Sequence, residues 1–276
     1  MSNVHDNAPI GVFDSGVGGL TVAREIMRQL PDESLIYFGD TARVPYGTKS
    51  KDTVIRYSRQ IVNFLLSKNV KAIVIACNTA SALAMHKLQQ EYIVPMIGMV
   101  RPGAVAAARA TKNHHIGIIG TNATVKSGQY GKYLRELNPD VTVVTKACPL
   151  FVPLVEEGLI DDRITEDMVS RYLREFDQYQ IDSLILGCTH YPLLQNPIKN
   201  FVGDDVTLIN PAYETAKSLK ELLREREMEA ESGHTAEYHY YVSDMEDQFL
   251  SFADRVLPCH CLLYTSDAAD DTPCVD

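Results

Sequence analysis

Short apolar runs rich in β-branched residues alternate along the chain with segments whose apolar residues recur at helical spacing. Residues 10–13 (IGVF) predict a first strand, and the polar, glycine-rich stretch 14–19 predicts a turn after it. Leu20, Ala23, Met27 and Leu30 then mark one face of a helix that Pro31 helps to end. Residues 35–38 read as a second strand and 39–49 as a loop, before Val54, Ile61, Leu65 and Leu66 line the next helix. A buried strand over 70–76 stops at Cys77, and 80–92 is helical again. A second series opens near Pro102, which suits the first turn of a helix over 103–111. Strands are expected over 116–119, 141–145 and 181–187, the last stopping at Cys188; helices are expected over 165–179 and 211–231. A strand over 237–243 and one more helix before Leu257 complete the series. Alternation of this kind builds parallel βαβ units, so the expected class is α/β.

The two series echo each other. The stretch from Ile10 (IGVFDS) resembles that from Ile116 (IGIIGT), and residues 73–79 (IVIACNT) resemble 184–190 (LILGCTH). The offsets are 106 residues from Ile10 to Ile116 and 111 from Cys77 to Cys188, close enough for two versions of one unit. Ligands of parallel α/β sheets gather beyond the carboxyl ends of the strands. Those ends here carry Asp14 and Ser15, Cys77 with Asn78 and Thr79, Thr121, and Cys188 with Thr189 and His190. Two such units facing each other bring one cysteine to each side of a shared cleft.

Composition narrows the partners. The chain has 276 residues, 45% in the hydrophobic set and 22% charged, a globular balance large enough for two domains. No apolar stretch approaches a membrane span, and residues 1–9 lack a basic region followed by an apolar core, so the expected location is the cytoplasm. The formal net charge of −10 and the lack of a Lys/Arg run argue against nucleic acid or an anionic membrane as partner. Four of the acids, Asp267, Asp270, Asp271 and Asp276, lie in a final segment without Lys or Arg. Of the six cysteines, Cys259, Cys261 and Cys274 fall in that same segment, leaving Cys77, Cys148 and Cys188 to explain.

Moving a proton at a carbon stereocentre needs a base on one face and an acid on the other, and two thiols can exchange these roles with the direction of reaction. A free thiol titrates near 8.5 and needs help to act as a base near neutrality. Asp14 can orient or deprotonate one thiol; His190 or a nearby carboxylate can assist the other. Asn78, Thr79, Thr121 and Thr189, with backbone amides, can hold carboxylates and a developing enolate-like oxygen. Plainer readings stand beside these. An intracellular cysteine is usually a small apolar filler, which suits Cys148. Residues 14–16 alone make an ordinary helix cap, and His190 alone an ordinary backbone partner. Residues 16–21 lack the last glycine of a dinucleotide-binding turn. A zinc site from Cys77, Cys188 and His190 lacks paired short-range spacing, and the metal-like Cys259, His260 and Cys261 sit in the atypical final segment. The expectation is no metal. A redox pair would lack the C-x-x-C spacing.

Assembled, these residues closely resemble the glutamate racemase family of bacterial cell-wall synthesis. The resemblance runs through residues 11–24 (GVFDSGVGGLTVAR), 39–47 (GDTARVPYG), 76–80 (ACNTA), 116–124 (IGIIGTNAT), 151–158 (FVPLVEEG) and 186–193 (LGCTHYPL), and so spans residues 10–257. It implies cofactor-independent interconversion of L- and D-glutamate, supplying D-glutamate for peptidoglycan. It also implies two similar parallel-sheet α/β domains with the active site between them, residues 102–211 being inserted in a first domain of 1–101 plus 212–257. By position Cys77 goes with Asp14, and Cys188 with His190 and Glu156. Glu157 is adjacent, so which of the two carboxylates faces inward stays open. Substrate binding is implied for Asp14, Ser15, Pro45, Tyr46, Gly47, Asn78, Thr79, Thr121, Thr124, Thr189 and His190, and a homodimer for the assembly. Residues 258–276 depart from the family, show no periodic apolar face and are left out of the expected fold. The rival functions are racemisation of aspartate or a hydantoin, a hydrolase with Cys188 as nucleophile, and a binding protein for acidic amino acids.

Overall fold

A run apolar at every position, such as residues 10–13, needs cover on both faces of its sheet. It has it in the structure, a computed structural model that describes residues 6–258 and 262–265, where Ile10, Val12 and Phe13 are fully buried. The first series forms β1 (Ile10–Asp14), α1 (Leu20–Gln29), β2 (Leu35–Gly39), α2 (Lys51–Ser67), β3 (Ala72–Ile75), α3 (Asn78–Leu83), α4 (Met85–Glu91), β4 (Met96–Gly98) and α5 (Val100–Ala110). The second forms β5 (His115–Gly120), α6 (Asn122–Ser127), α7 (Gln129–Leu137), β6 (Thr142–Ala147), α8 (Phe151–Glu156), α9 (Arg163–Leu173), β7 (Ser183–Gly187), α10 (Gln195–Val202) and β8 (Thr207–Ile209). The chain continues through α11 (Pro211–Glu225), β9 (Tyr238–Val242), α12 (Glu246–Val256) and β10 (Leu262–Thr265).

These strands make two parallel sheets, one of order β10-β9-β2-β1-β3-β4 and one of order β6-β5-β7-β8. The inner order β2-β1-β3-β4 repeats in the second sheet, and so does the register. Ile10 sits opposite Ala72 and Ile116 opposite Ser183, which preserves both sequence offsets. Side chains of β3 alternate between two cores, as a period of two requires. Ala72 and Val74 pack with α1, α11 and α12, whereas Ile73, Ile75 and then Cys77 pack with α2 and α4. Cys188 belongs to the first of these cores, which runs through both sheets.

Several expected elements differ in extent. The helix expected over 80–92 starts earlier, because Cys77 caps it (the Ala80 amide donates to Sγ at 3.4 Å), and it breaks at Ala84. The segment 165–179 is α9 followed by a 3-10 turn, closed by Gln180 in the left-handed region at φ 49°. The helix expected over 211–231 stops at Glu225, just before Glu227 turns to φ 55°. Elements that had no place in the expectation are short: β4 and β8 have three residues each, α6 and α8 six, α10 eight and α7 nine. Four residues of the segment left out of the expected fold, Leu262–Thr265, pair in parallel with β9, where Tyr264 stacks on Tyr241 with centroids 5.1 Å apart. Cys259, His260, Cys261 and Cys274 lie outside the described residues. Among the described residues no helix is long and apolar enough to cross a membrane.

Candidate active site

The carboxyl ends of β1, β3, β5 and β7 meet along a seam between the two sheets. The Thr79 hydroxyl lies 2.9 Å from that of Thr121 and 3.3 Å from that of Thr124. Thr21, in the first turn of α1, donates across the seam to the Thr189 carbonyl at 2.9 Å. Thr121 also caps α6, accepting from the Thr124 amide at 3.2 Å. Two glycines permit the close approach. A methyl group at Gly18 would lie 2.4 Å from both the His190 ring and the Thr189 hydroxyl, and one at Gly47 would lie 2.9 Å from Thr121 Cβ.

Cys77 is buried beside acidic and hydroxylic neighbours. Its thiol lies 3.5 Å from the Ser15 hydroxyl. Burial and the nearby Asp14 carboxylate both disfavour the thiolate, and the thiol is pushed up to about 12. Asp14 is itself raised above its ordinary range: burial outweighs the pull of His190 and of the amide of Gly19, which donates to Oδ2 at 2.8 Å. Its Oδ1 has no hydrogen-bond partner among the described residues.

Cys188 has the opposite surroundings. Its Sγ is 3.8 Å from His190 Nδ1, while His190 Nε2 is 2.9 Å from Glu156 Oε1. Burial alone would lower the imidazole, but the hydrogen bonds to Cys188 and Glu156 prevail and push it up to about 10. The imidazole thus bridges the Cys188 sulfur and the Glu156 carboxylate. This geometry selects Glu156 over Glu157, since Glu156 is the carboxylate that reaches His190.

Most residues expected at the site gather here, with two qualifications. Tyr46 is buried, but its hydroxyl donates to Asp40, which also pairs with Arg43 at 2.8 Å. What Tyr46 offers the seam is therefore ring and backbone. Pro45, after a cis peptide bond, is exposed. Cys148 is buried in the core with Phe151 and Tyr191, as a filler would be. Among the described residues, no group of His, Cys, Asp and Glu is placed to hold a metal ion. A cavity of about 400 Å³ opens beside His190's partner, lined by Gly16, Val44, Glu156, Phe252 and Arg255. A larger one, about 820 Å³, lies along α4, α5, α7 and α11, and neither cysteine lines it.

Four neighbours of the site had no signal in the sequence. Tyr37 donates to the Gly16 carbonyl at 2.7 Å and fixes the turn after β1. Phe252 of α12 lies 5.9 Å from the His190 ring, and Arg255 donates to the Glu156 carbonyl at 3.2 Å. Tyr130 of α7 reaches Asn78 across the seam. Each is an ordinary apolar or surface position in its own helix or strand, and only tertiary packing brings it here.

The sequence pattern of the Asp/Glu/hydantoin racemases matches residues 10–219. The glutamate racemase of Geobacter metallireducens is 48% identical over 248 residues, 90% of this chain and 92% of that protein. The chain belongs to the Asp/Glu/hydantoin racemase family. Solved structures agree. Glutamate racemase isoform RacE1 from Bacillus anthracis superposes with a TM-score of 0.92 at 41% identity, covering 95% of this chain and 98% of that one. The glutamate racemase of Francisella tularensis in complex with D-glutamate gives 0.90 at 38% identity, covering 96% and 99%. Two buried thiols thus stand at matched strand ends, Cys188 beside His190 and Cys77 beside Ser15 and Asp14.

Proposed function

We propose that this racemase interconverts L- and D-glutamate without a cofactor, through Cys77 and Cys188. The observation that carries the reading is the unequal pair of environments: His190 and Glu156 at Cys188, Ser15 and Asp14 at Cys77. In one direction the Cys188 sulfur takes the Cα proton, so a C–H bond breaks and an S–H bond forms. Cys77 then gives its own S–H proton to the opposite face of Cα. The reverse direction exchanges the two roles. Negative charge that develops on the α-carboxylate is met by hydroxyl and amide donors of Ser15, Asn78, Thr79, Thr121, Thr124 and Thr189, held in place before the reaction begins. Glutamate is favoured as substrate by the names of relatives that match along nearly the whole chain, one of them in complex with D-glutamate. With that reading go a cytoplasmic homodimer and supply of D-glutamate for peptidoglycan.

Incubation of the purified protein with L- and with D-glutamate in deuterated water, without added cofactor, tests it. Loss of optical activity from both enantiomers, with deuterium entering at Cα, is expected. No exchange from either enantiomer would overturn the proposal. A binding protein leaves the α-proton in place, and a parallel assay with aspartate or a hydantoin exposes a different substrate. A hydrolase built on Cys188 would survive Cys77→Ser.

A further inference from the structure

Asn78, the first residue of α3, is 3% exposed, and the two ends of its amide are treated differently. Its Oδ1 accepts from the Tyr130 hydroxyl at 2.7 Å, whereas its Nδ2 has no partner among the described residues. An amide turned over by half a rotation exchanges donor for acceptor at nearly the same place. Which way it faces is decided by the neighbour that has least choice. That neighbour is Tyr130. It is buried, and among the described residues its phenolic proton goes to Asn78 Oδ1. Turning the amide over would set Nδ2 against the phenol oxygen and strand that proton in the interior, a loss of the kind that buried polar groups avoid.

The ring packs among Ala104, Ile118 and Ile185, and two glycines leave room for its edges. A methyl group on Gly103 of α5 would stand 3.3 Å from Tyr130 Cε1, and one on Gly187 of β7 would stand 3.4 Å from Cε2. Tyr130 thus stands in a slot between two glycines, the second immediately before Cys188, and its hydroxyl crosses to the residue immediately after Cys77.

We propose that Tyr130 is a positioning residue for substrate: it locks the Asn78 amide so that Nδ2 always donates to a substrate carboxylate and Oδ1 never opposes it. This rests on glutamate being the substrate. The consequence is that anion recognition beside Cys77 depends on a helix of the other sheet.

Tyr130→Phe removes the hydroxyl and keeps the ring in its slot. Its expected effect is a rise in KM for both enantiomers of about tenfold, the scale of one buried hydrogen bond, with kcat changed by less than about threefold. In an Asn78→Ala background the same substitution is expected to change KM by less than about twofold, because the two residues act as one unit. An unaltered KM in Tyr130→Phe, or a full rise that persists in the Asn78→Ala background, would overturn the proposal. If Tyr130→Phe is too unstable to assay, ¹⁵N spectra of the wild type decide. The Asn78 side-chain NH₂ signal, identified by its loss in Asn78→Asp, is expected to shift on adding glutamate, and a signal that stays put counts against the lock. A wild type inactive on glutamate refutes the substrate assignment; an active wild type indifferent to Tyr130→Phe refutes the lock alone.

Discussion

The middle strands of the two sheets, β3 and β7, are built on one plan and finished differently at both ends. Each pairs with the first strand of its series in the same register, and each is followed by a buried cysteine. Just before β3 stands Lys71, paired at 2.7 Å with Glu33 in an ion pair almost closed to solvent. The corresponding residue before β7 is Asp182, which instead accepts from Thr111 and from the amides of Lys112 and Asn113 at 2.6–2.8 Å. Beyond the strands, Cys77 meets Ser15 and Asp14, and Cys188 meets His190 and Glu156. The two units share one hydrogen-bond register while the polar groups at their ends differ. Backbone pairing is shared by all sequences that fit the strand, whereas each terminal polar group answers only to its local partner.

The largest effect expected from breaking this comparison is on turnover. Cys77→Ala and Cys188→Ala should each cut racemisation by about 10²–10⁴-fold, as loss of a general acid or base does, measured by loss of optical rotation. Equal losses from dissimilar surroundings would show that both thiols are needed in each direction; a variant that retained activity would break the two-thiol scheme.

At the opposite ends of the strands the comparison concerns stability. Lys71→Met leaves Glu33 buried without its cation and should cost about 3–5 kcal/mol. Asp182→Asn keeps an acceptor for the loop at residues 111–113 and should cost about 1 kcal/mol. Urea denaturation of both variants measures the difference, and equal costs would mean that the buried pair contributes no more than the loop contacts.

A third test separates the two sites by pH. His190 is raised from 6.5 to about 10, so its cationic form contributes stability that is complete below about 6.5 and is lost as pH rises through about 10. Activity should fall over the same alkaline range. Glu156→Gln removes one of the groups holding the imidazole up, and should move that alkaline limb to lower pH. A limb that stayed in place would assign it to another group. The smallest effect is expected from deleting residues 259–276. This removes β10 and none of the described residues of the seam, and kcat should remain within about twofold; this scale is set well below the 10²–10⁴ of a lost acid or base.

The features legible in the sequence are those written into contiguous residues. Continuous apolar runs that stop at Cys77 and Cys188 announced both strands and their ends, and the echo between them anticipated the paired registers. The thiols, Asp14 and the threonines followed, because they sit directly after those runs. What stayed hidden depends on through-space packing or on elements too short to show a period. Tyr130 lies on a nine-residue helix whose Tyr130, Tyr133, Leu134 and Leu137 recur at helical spacing, but that spacing does not say what the Tyr130 hydroxyl reaches, and Phe252 reads as one more core residue of α12. Glu156 and Glu157 were indistinguishable in the sequence because the choice depends on where α8 ends: Glu156 is its last residue and Glu157 its cap.

The unequal surroundings of the two thiols carry a thermodynamic constraint. Mirror-image amino acids have the same free energy in water, so the equilibrium constant of any racemisation is one. The ratio kcat/KM must then be identical in the two directions, however differently His190 and Asp14 treat their sulfurs. Chiral bias in this protein can appear only as a matched rise or fall of kcat and KM together, with one mirror image held more tightly and released more slowly.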